Sequence, residues 1–250
     1  MLRTTRGIVL RTIKYKDSSL IADIYSDIFG RCSVLLHVPK TGKAKVKPML
    51  FQPLAMLDLE MDVRPHTSIY KLKDAKIRTP YADIPFNPYK QAMVMFLSEF
   101  LVRALREEEQ NMPLFEYLSY SLSFLDGCVQ GFSNFHLVFL LRLSRFLGIY
   151  PNLENYHPGD YFDMQSACFV RTRPSAHPHY LGTLETSYVP QLSRMNFETM
   201  HLFAFNRSER ARVLAVLNEY YCLHLPDFPE LKSLQVLQEL FTQAISSPSH

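Results

Sequence analysis

Lys40, Lys43, Lys45 and Lys47 fall within eight residues of the stretch PKTGKAKVKP. Four ammonium groups at that density suit the neutralisation of phosphates, because Lys acts as a point charge that demands no fixed geometry. Such contacts are indifferent to base sequence. Arg11, Lys14 and Arg31 are further candidates on neighbouring segments. Arg11 and Lys14 have opposite parity in a period-2 strand, so they share a face only if a bulge or the strand end intervenes. Tyr15 has the parity of Arg11 and offers a ring on which a base can stack, although an aromatic in a small barrel is more often core.

A second arrangement is the alternation in LDLEMDV, where Asp58, Glu60 and Asp62 take one strand face and Leu57, Leu59, Met61 and Val63 the other. Three carboxylates on one face occur in some magnesium-dependent nucleases, which is one alternative function; a non-catalytic adaptor that bridges repair proteins is the other. The plainer reading is a half-exposed strand with its acids outward, since no nearby His or Lys completes a catalytic set. The chain has no Walker loop, HExxH or GxSxG, so nucleotide hydrolysis and zinc or serine hydrolysis lack their machinery, and no enzymatic activity or cofactor is expected. Cys32, Cys128, Cys168 and Cys222 lie far apart without CxxC spacing. They read as four isolated buried thiols in a reducing compartment, the cytoplasm by default.

The elements that must position these groups change character along the chain. Residues 1–78 hold 15 Lys and Arg against 7 Asp and Glu, a net of +8; the remaining residues hold 12 against 17, a net of −5. A basic module that meets a polyanion, followed by a module with another task, fits that split. Up to about Pro80 the runs GIVLRTIKYK, LIADIYSD, RCSVLLHV, MLFQPLAMLDLEM and SIYKLKDAKI predict five short strands, with Asp27 to Gly30 as a hairpin turn. Five strands with a basic face suit a small closed barrel of the OB type, with an SH3-like barrel as the other arrangement. From Asn87 the period is helical, with Met93, Phe96, Leu97, Phe100, Leu101, Ala104 and Leu105 on one stripe. The pattern predicts helices at about 87–110, 113–126, 134–148, 195–204, 208–224 and 230–245, the fifth begun by Asn206 and Glu209 as a capping box. A Pro-, His- and Tyr-rich segment at about 149–192 has no clear period. The fold class is therefore α+β, with a barrel domain over 1–80 and a mainly helical domain over 81–250. No apolar run reaches the length of a membrane span, FHLVFLLRLSRFLGIY being interrupted by Arg142 and Arg145, and the start has too short an apolar run for a signal peptide.

Four segments in order, GIVLRTIKYKDSSLIADIYSDIFGRCSVLLH, the basic link with LFQPLAMLDLEM, FNPYKQAMVMFLSEFLVRALREEEQN and YYCLHLPDFPELKSLQVLQEL, resemble the RecO family of bacterial recombination mediators over nearly the whole chain. The resemblance implies an N-terminal OB domain, a helical body, binding of single- and double-stranded DNA, annealing of complementary strands, and partnership with RecR, the single-strand-binding protein and, indirectly, RecA. Many members carry a four-cysteine zinc site after the central helix. Here that segment keeps only Cys168; a substitute set of Cys168, His157, His177 and His179 matches no familiar knuckle, so no metal is expected. Tyr156, Tyr161, Phe162 and Phe169 are expected to pack the segment instead, making the chain a zinc-free variant. Arg142 and Arg145 put two cations beside apolar helix surface, which suits an acidic peptide ending in an aromatic. The tail of the single-strand-binding protein is such a peptide, and the resemblance implies that it docks on the helical domain. Pairing of the two arginines with Glu99, Glu107 or Glu116 is the other reading, and Lys232 is a further candidate for the tail.

Overall fold

The computed structural model describes residues 1–38, 47–64, 67, 69–106, 109–229, 231–235 and 237. Five strands form a closed barrel: β1 (Leu2–Lys16), β2 (Ser19–Ser26), β3 (Gly30–His37), β4 (Met56–Asp62) and β5 (Ile69–Ile77). Their order is β1-β2-β3-β5-β4, and β4 returns to β1; every pair is antiparallel except β3 with β5. This is the expected OB-type barrel. Val9, Ala22, Ile24, Val34, Leu57 and Leu59 fill its interior. Ile8 and Leu10, of opposite parity, are also fully buried. Gly7 sits where a Cβ would come within 2.7 Å of the Leu59 side chain. Gly30 holds φ +62° in the turn that joins β2 to β3, a conformation glycine adopts without steric cost. The fourth strand starts later than the sequence run implies, at Met56, because Pro48–Leu50 form a 3-10 turn and Leu54 adopts φ 58°.

One compact unit comprises Met1–Gly127 with the described residues from Leu231 onward; the other is Cys128–Glu230. In the first, α1 (Pro88–Ala104) starts at Asn87, whose side chain accepts from the backbone N–H groups of Tyr89 and Lys90, with Pro88 at the first helical position. It packs against β1, and its Ser98 hydroxyl donates to the Leu10 carbonyl. The fully buried Lys90 donates to the Asp126 carbonyl at 2.9 Å and pairs with Asp83 at 2.7 Å. Asp126 ends the helix α2 (Met112–Gly127), and its carboxylate accepts from the backbone of Ala82, Asp83 and Ile84. Burial alone raises the pKa of this carboxyl; those three N–H groups and Lys90 outweigh it, holding Asp126 below the usual range. The Glu99 carboxylate on α1 accepts from the backbone N–H groups of Lys232 and Ser233, so it caps the helical turn 232–235.

The second unit contains α3 (Phe135–Phe146), a three-stranded sheet of β6 (Tyr161–Asp163), β7 (Cys168–Val170) and β8 (Tyr180–Leu181) in the order β7-β6-β8, then α4 (Thr183–Thr186), α5 (Tyr188–Arg194) and α6 (Arg207–His224). The expected capping box is present: Asn206 accepts from Glu209 N–H while the Glu209 side chain accepts from Asn206 N–H. The helix expected at 195–204 is not. Asn196 and Thr199 instead exchange side-chain to backbone bonds at 2.6 and 3.2 Å, a local turn that competes with helix, and only a 3-10 turn at Met200–Leu202 follows. Of the helix expected at 230–245, residues 232–235 and 237 are described and helical; the rest lies outside the described residues. No helix among the described residues is long and apolar enough to cross a membrane.

Candidate nucleic-acid interface

Lys40, Lys43 and Lys45 lie outside the described residues, but the two ends of their segment are fixed. At one end Val38 N–H donates to the Ser18 carbonyl at 2.8 Å, in the two-residue connection between β1 and β2. At the other, Lys47 is exposed and precedes the 3-10 turn, and the Phe51 carbonyl accepts from the Thr12 hydroxyl of β1 at 3.0 Å. The chain therefore leaves the barrel at the β1–β2 connection, and past Lys47 it meets β1 again at Thr12.

That tip carries Lys14, Tyr15 and Lys16, all exposed. The register runs unbroken from Arg11 opposite Asp23 to Lys14 opposite Leu20, so Arg11 and Lys14 do lie on opposite faces. A shift between Lys14 and Lys16 makes Tyr15 a bulge residue. Its ring is 52% exposed, outside the core, and the Lys16 ammonium lies 5.3 Å from the ring centroid. Lys16 did not stand out in the sequence, since the bulge that brings it beside Tyr15 leaves no mark in a period-2 pattern.

Asp23, on the outer face of β2, takes the remaining two cations. Its carboxylate accepts from Ser33 Oγ at 2.6 Å, Arg11 Nε at 2.7 Å and the Arg31 guanidinium at 3.3 Å. Burial pushes this carboxyl upward, and Ser33, Arg11 and Arg31 together hold it below its ordinary pKa. Arg31 also donates to the carbonyls of Val102 and Leu105 at 2.7 and 3.1 Å, at the C-terminal end of α1. A cation there satisfies carbonyls that the helix leaves open and opposes its dipole. Arg31, expected from the sequence as a phosphate contact, has a side chain only 16% exposed that ties barrel to helix. Arg11 keeps a partly exposed guanidinium.

The acidic strand is also resolved. Asp58, Glu60 and Asp62 do share the outer face of β4, each opposite a residue of β1 and one of β5. Successive same-face positions are about 6.6 Å apart, and the outer two carboxylates turn to separate cations. Asp58 pairs with Arg78 at 2.9 Å, and Asp62 with the N-terminal ammonium and Arg64. The carboxylates do not converge, and no group of three or more metal-ligating side chains occurs among the described residues.

In the second unit each histidine of the substitute zinc set faces a carboxylate. His157 faces Asp160, His177 faces Asp163 and His179 faces Glu219, at 3.6, 3.3 and 3.0 Å. Cys168 opens β7, and a zinc centre does not fit this donor set. Aromatic packing occupies the segment: Phe169 lies 5.1 Å from Tyr156 and 5.3 Å from Phe162, and Tyr161 meets Tyr180 edge-on. On α3, Arg142 is half-buried and donates to the Met195 carbonyl at 3.3 Å. Arg145 is exposed, with its guanidinium 4.2 Å from the Tyr150 ring centroid. Of the glutamates considered as partners for them, Glu99 holds Lys232 and Ser233, Glu116 holds Arg6, and Glu107 lies outside the described residues.

Comparison with known proteins agrees with both halves of this architecture. Residues 1–81 match the family described as Recombination protein O N terminal, and residues 85–235 match Recombination protein O C terminal. The DNA repair protein RecO of Bacteroides fragilis is 57% identical over 96% of this chain and 100% of its own length. The protein of that name from Phocaeicola vulgatus is 55% identical over 97% of this chain and all of its own, and one from Porphyromonas gingivalis is 34% identical over 96%. With a barrel of OB order, both family halves matched and relatives aligned along their full length, the chain belongs to the RecO family of DNA repair proteins.

Proposed function

We propose that the protein works in repair by holding single and double strands of DNA through the hairpin tip of the barrel, annealing complementary strands, and helping to load RecA on DNA covered by single-strand-binding protein. The observation that supports this reading is the exposed set Lys14, Tyr15 and Lys16 at the β1–β2 tip, together with the bond from Val38, at the start of the segment carrying Lys40, Lys43, Lys45 and Lys47, to Ser18 in the same connection. Flexible ammonium groups neutralise the backbone and an exposed ring stacks on a base, the usual means of holding a single strand without reading it. Arg11 stands at the edge of this strip. No covalent step is needed, because annealing requires only that two repelling backbones be screened and brought together. RecR is the proposed partner in loading. The acidic tail of the single-strand-binding protein is assigned to Arg142 and Arg145, where a cation over Tyr150 offers both charge and an aromatic face. Lys232 lies in the first compact unit, apart in the chain from these arginines.

Salt-dependent binding tests the interface. If Lys40, Lys43, Lys45 and Lys47 each neutralise about one phosphate, their replacement by Ala should flatten the slope of log K against log[salt] on single strands by about 3, at roughly −0.7 per contact. Tyr15→Ala should instead lower affinity by about 1–3 kcal/mol with the slope unchanged, since stacking releases no counterions. A folded quadruple variant with an unaltered slope and an unaltered annealing rate overturns the assignment.

A further inference from the structure

The first strand of the barrel has an open edge. β1 and β4 run in unbroken register from Leu2 opposite Asp62 to Ile8 opposite Met56. Just beyond Leu2, Met1 and Val63 exchange both backbone bonds at 2.9 Å. Alternation of the ladder then sends the N–H and C=O groups of Arg3 and Thr5 to β4, and those of Leu2, Thr4 and Arg6 to the opposite edge. On that edge Arg6 is met by Asp27, whose Oδ1 accepts from Arg6 N–H at 3.0 Å and whose own N–H donates to the Arg6 carbonyl at 3.1 Å. β2 ends at Ser26, opposite Gly7, and does not reach Leu2 or Thr4. Both residues are exposed, and their edge groups have no protein partner among the described residues. The space beside them is a slot of about 580 Å³ between Leu2–Thr4 and the turn residues Ile28 and Phe29. It shares Thr4, Ile28 and Glu60 with a cleft of about 360 Å³ on the outer face. Leu2 is 55% and Ile28 42% exposed.

We propose that this slot receives an extended, basic segment of a protein partner, which adds to β1 as a further strand. An edge with open N–H and C=O groups is a template for strand addition, in which backbone bonds supply affinity and alternate side chains supply specificity. Leu2 and Ile28 seat the apolar side chains of such a segment. Its basic character follows from charge. Glu60 stands opposite Thr4 on one side and Asp74 on the other, and like charges directly opposite each other are destabilising unless a cation joins them. Asp58 and Asp62 have cations of their own, whereas Glu60 and Asp74 have no ion pair among the described residues. Of the cations lining the cleft, Arg6 is held by Asp27 and Glu116, and Lys76 stands opposite Asp58. A strand on the open edge runs about 4.8 Å from β1 and about twice that from β4. Only the short Thr4 side chain lies between, so an incoming Lys or Arg reaches Glu60 across it. A phosphate backbone gains nothing beside Glu60 and Asp74, and the Phe29 ring packs on Tyr70 with centroids 5.5 Å apart. The occupant is opposite in charge to the peptide assigned to Arg142 and Arg145.

The probe is a fluorescein-labelled octapeptide of alternating lysine and valine, titrated by anisotropy into the full chain and followed by amide hydrogen exchange. Binding is expected to slow exchange of the Thr4 amide, while Arg3 and Thr5, already bonded to β4, change little. A control peptide N-methylated at its central residues, and one with glutamate in place of lysine, should each bind about tenfold more weakly. Thr4→Pro removes an N–H that faces the edge and none that faces β4, a change that edge strands tolerate, and should raise the Kd about tenfold. Glu60→Gln should raise it about threefold, with a flatter salt dependence. Affinity for an oligo-dT strand should stay within about twofold of the parent protein in both variants. Melting curves verify folding, and the N-methylated peptide carries the test if Thr4→Pro lowers the melt. Absence of binding up to about 1 mM peptide overturns the proposal. So does binding that leaves Thr4 exchange unchanged, or that both variants retain in full, because the peptide then sits on another acidic surface. Slowing of Thr4 exchange by oligo-dT in place of the peptide makes the edge a nucleic-acid surface and overturns it as well. A dimer in sedimentation equilibrium that Thr4→Pro dissociates gives the edge to a second copy of the chain, and the partner fails.

Discussion

Replacing Lys90 by Met should destabilise the first unit by about 2 kcal/mol without touching DNA. The ammonium is fully buried and reaches the Asp126 carbonyl and the Asp83 carboxylate. Breaking a buried ion pair commonly costs about 3–5 kcal/mol, because a charge is stranded away from water. Asp83 is 47% exposed, so water takes over its carboxylate and most of that penalty does not arise. What remains is a carbonyl left without its donor, about 1–3 kcal/mol, partly offset by the apolar surface that Met buries. Urea unfolding followed by far-UV circular dichroism reads this directly; the chain has no tryptophan to report by fluorescence. A loss of about 2 kcal/mol corresponds to a fall of roughly 6–8 °C in the melting temperature of a unit this size. The pH dependence has a definite sign. The Asp126 carboxyl is held below its ordinary pKa by the three N–H groups of residues 82–84 and by Lys90, so its contribution is fully present above about pH 4 and is lost as pH falls through the lowered value. Asp126→Asn should therefore be less stable than the parent at pH 7 and should lose less on acidification. A Lys90→Met protein within about 0.5 kcal/mol of the parent would refute the ledger, and an equal drop in DNA affinity would refute the separation of this latch from the interface.

Changing Arg142 and Arg145 together to Glu should weaken binding of the acidic tail peptide of single-strand-binding protein and leave naked-DNA affinity unchanged; unaltered peptide affinity in the folded double variant removes these arginines from the tail site. Protein purified without added metal should contain well under one zinc per chain and melt at the same temperature with and without chelator, because the His157, His177 and His179 rings already face carboxylates. Stoichiometric zinc whose removal unfolds the protein would sink that expectation.

The barrel was legible because short β-rich runs alternate with turn signals, and the hairpin between β2 and β3 announces itself through Asp27 and Gly30. The first three helices were legible from their apolar helical period, and Asn206 with Glu209 located the start of α6. Residues with two competing roles were harder to read. Arg31 looks like any basic strand residue until the end of α1 is placed above it, and only then do Val102 and Leu105 claim its guanidinium. Lys90 falls within the apolar stripe of α1 yet leaves no hint that Asp83 and Asp126 converge on it, since they lie 7 residues before it and 36 after it in the chain. The 195–204 segment failed as a helix because Asn196 and Thr199 satisfy their own backbone, a local competition that apolar spacing does not register.

The distribution of charge on the barrel bears on how an annealing protein avoids trapping its substrate. Asp58, Glu60 and Asp74 lie along the outer faces of β4 and β5 among Lys71, Lys76 and Arg78, while Lys14 and Lys16 lie at the β1–β2 tip. Screening at physiological salt acts over about 8 Å, so each region is felt mainly by the stretch of strand nearest to it. If a strand is held at the tip as proposed, it gains no net attraction from β4 and β5, where acids face cations, and the contact stays short. Lysines with no fixed hydrogen-bond geometry let that short contact slide and release, as a bidentate arginine set in a rigid face would not. Arg31, whose side chain is 16% exposed, is such a rigid arginine, and here it is used inside the protein, between barrel and helix. On the proposed reading, weak and sequence-blind contacts at one end of the barrel are what a complementary strand needs in order to displace the protein as base pairs form.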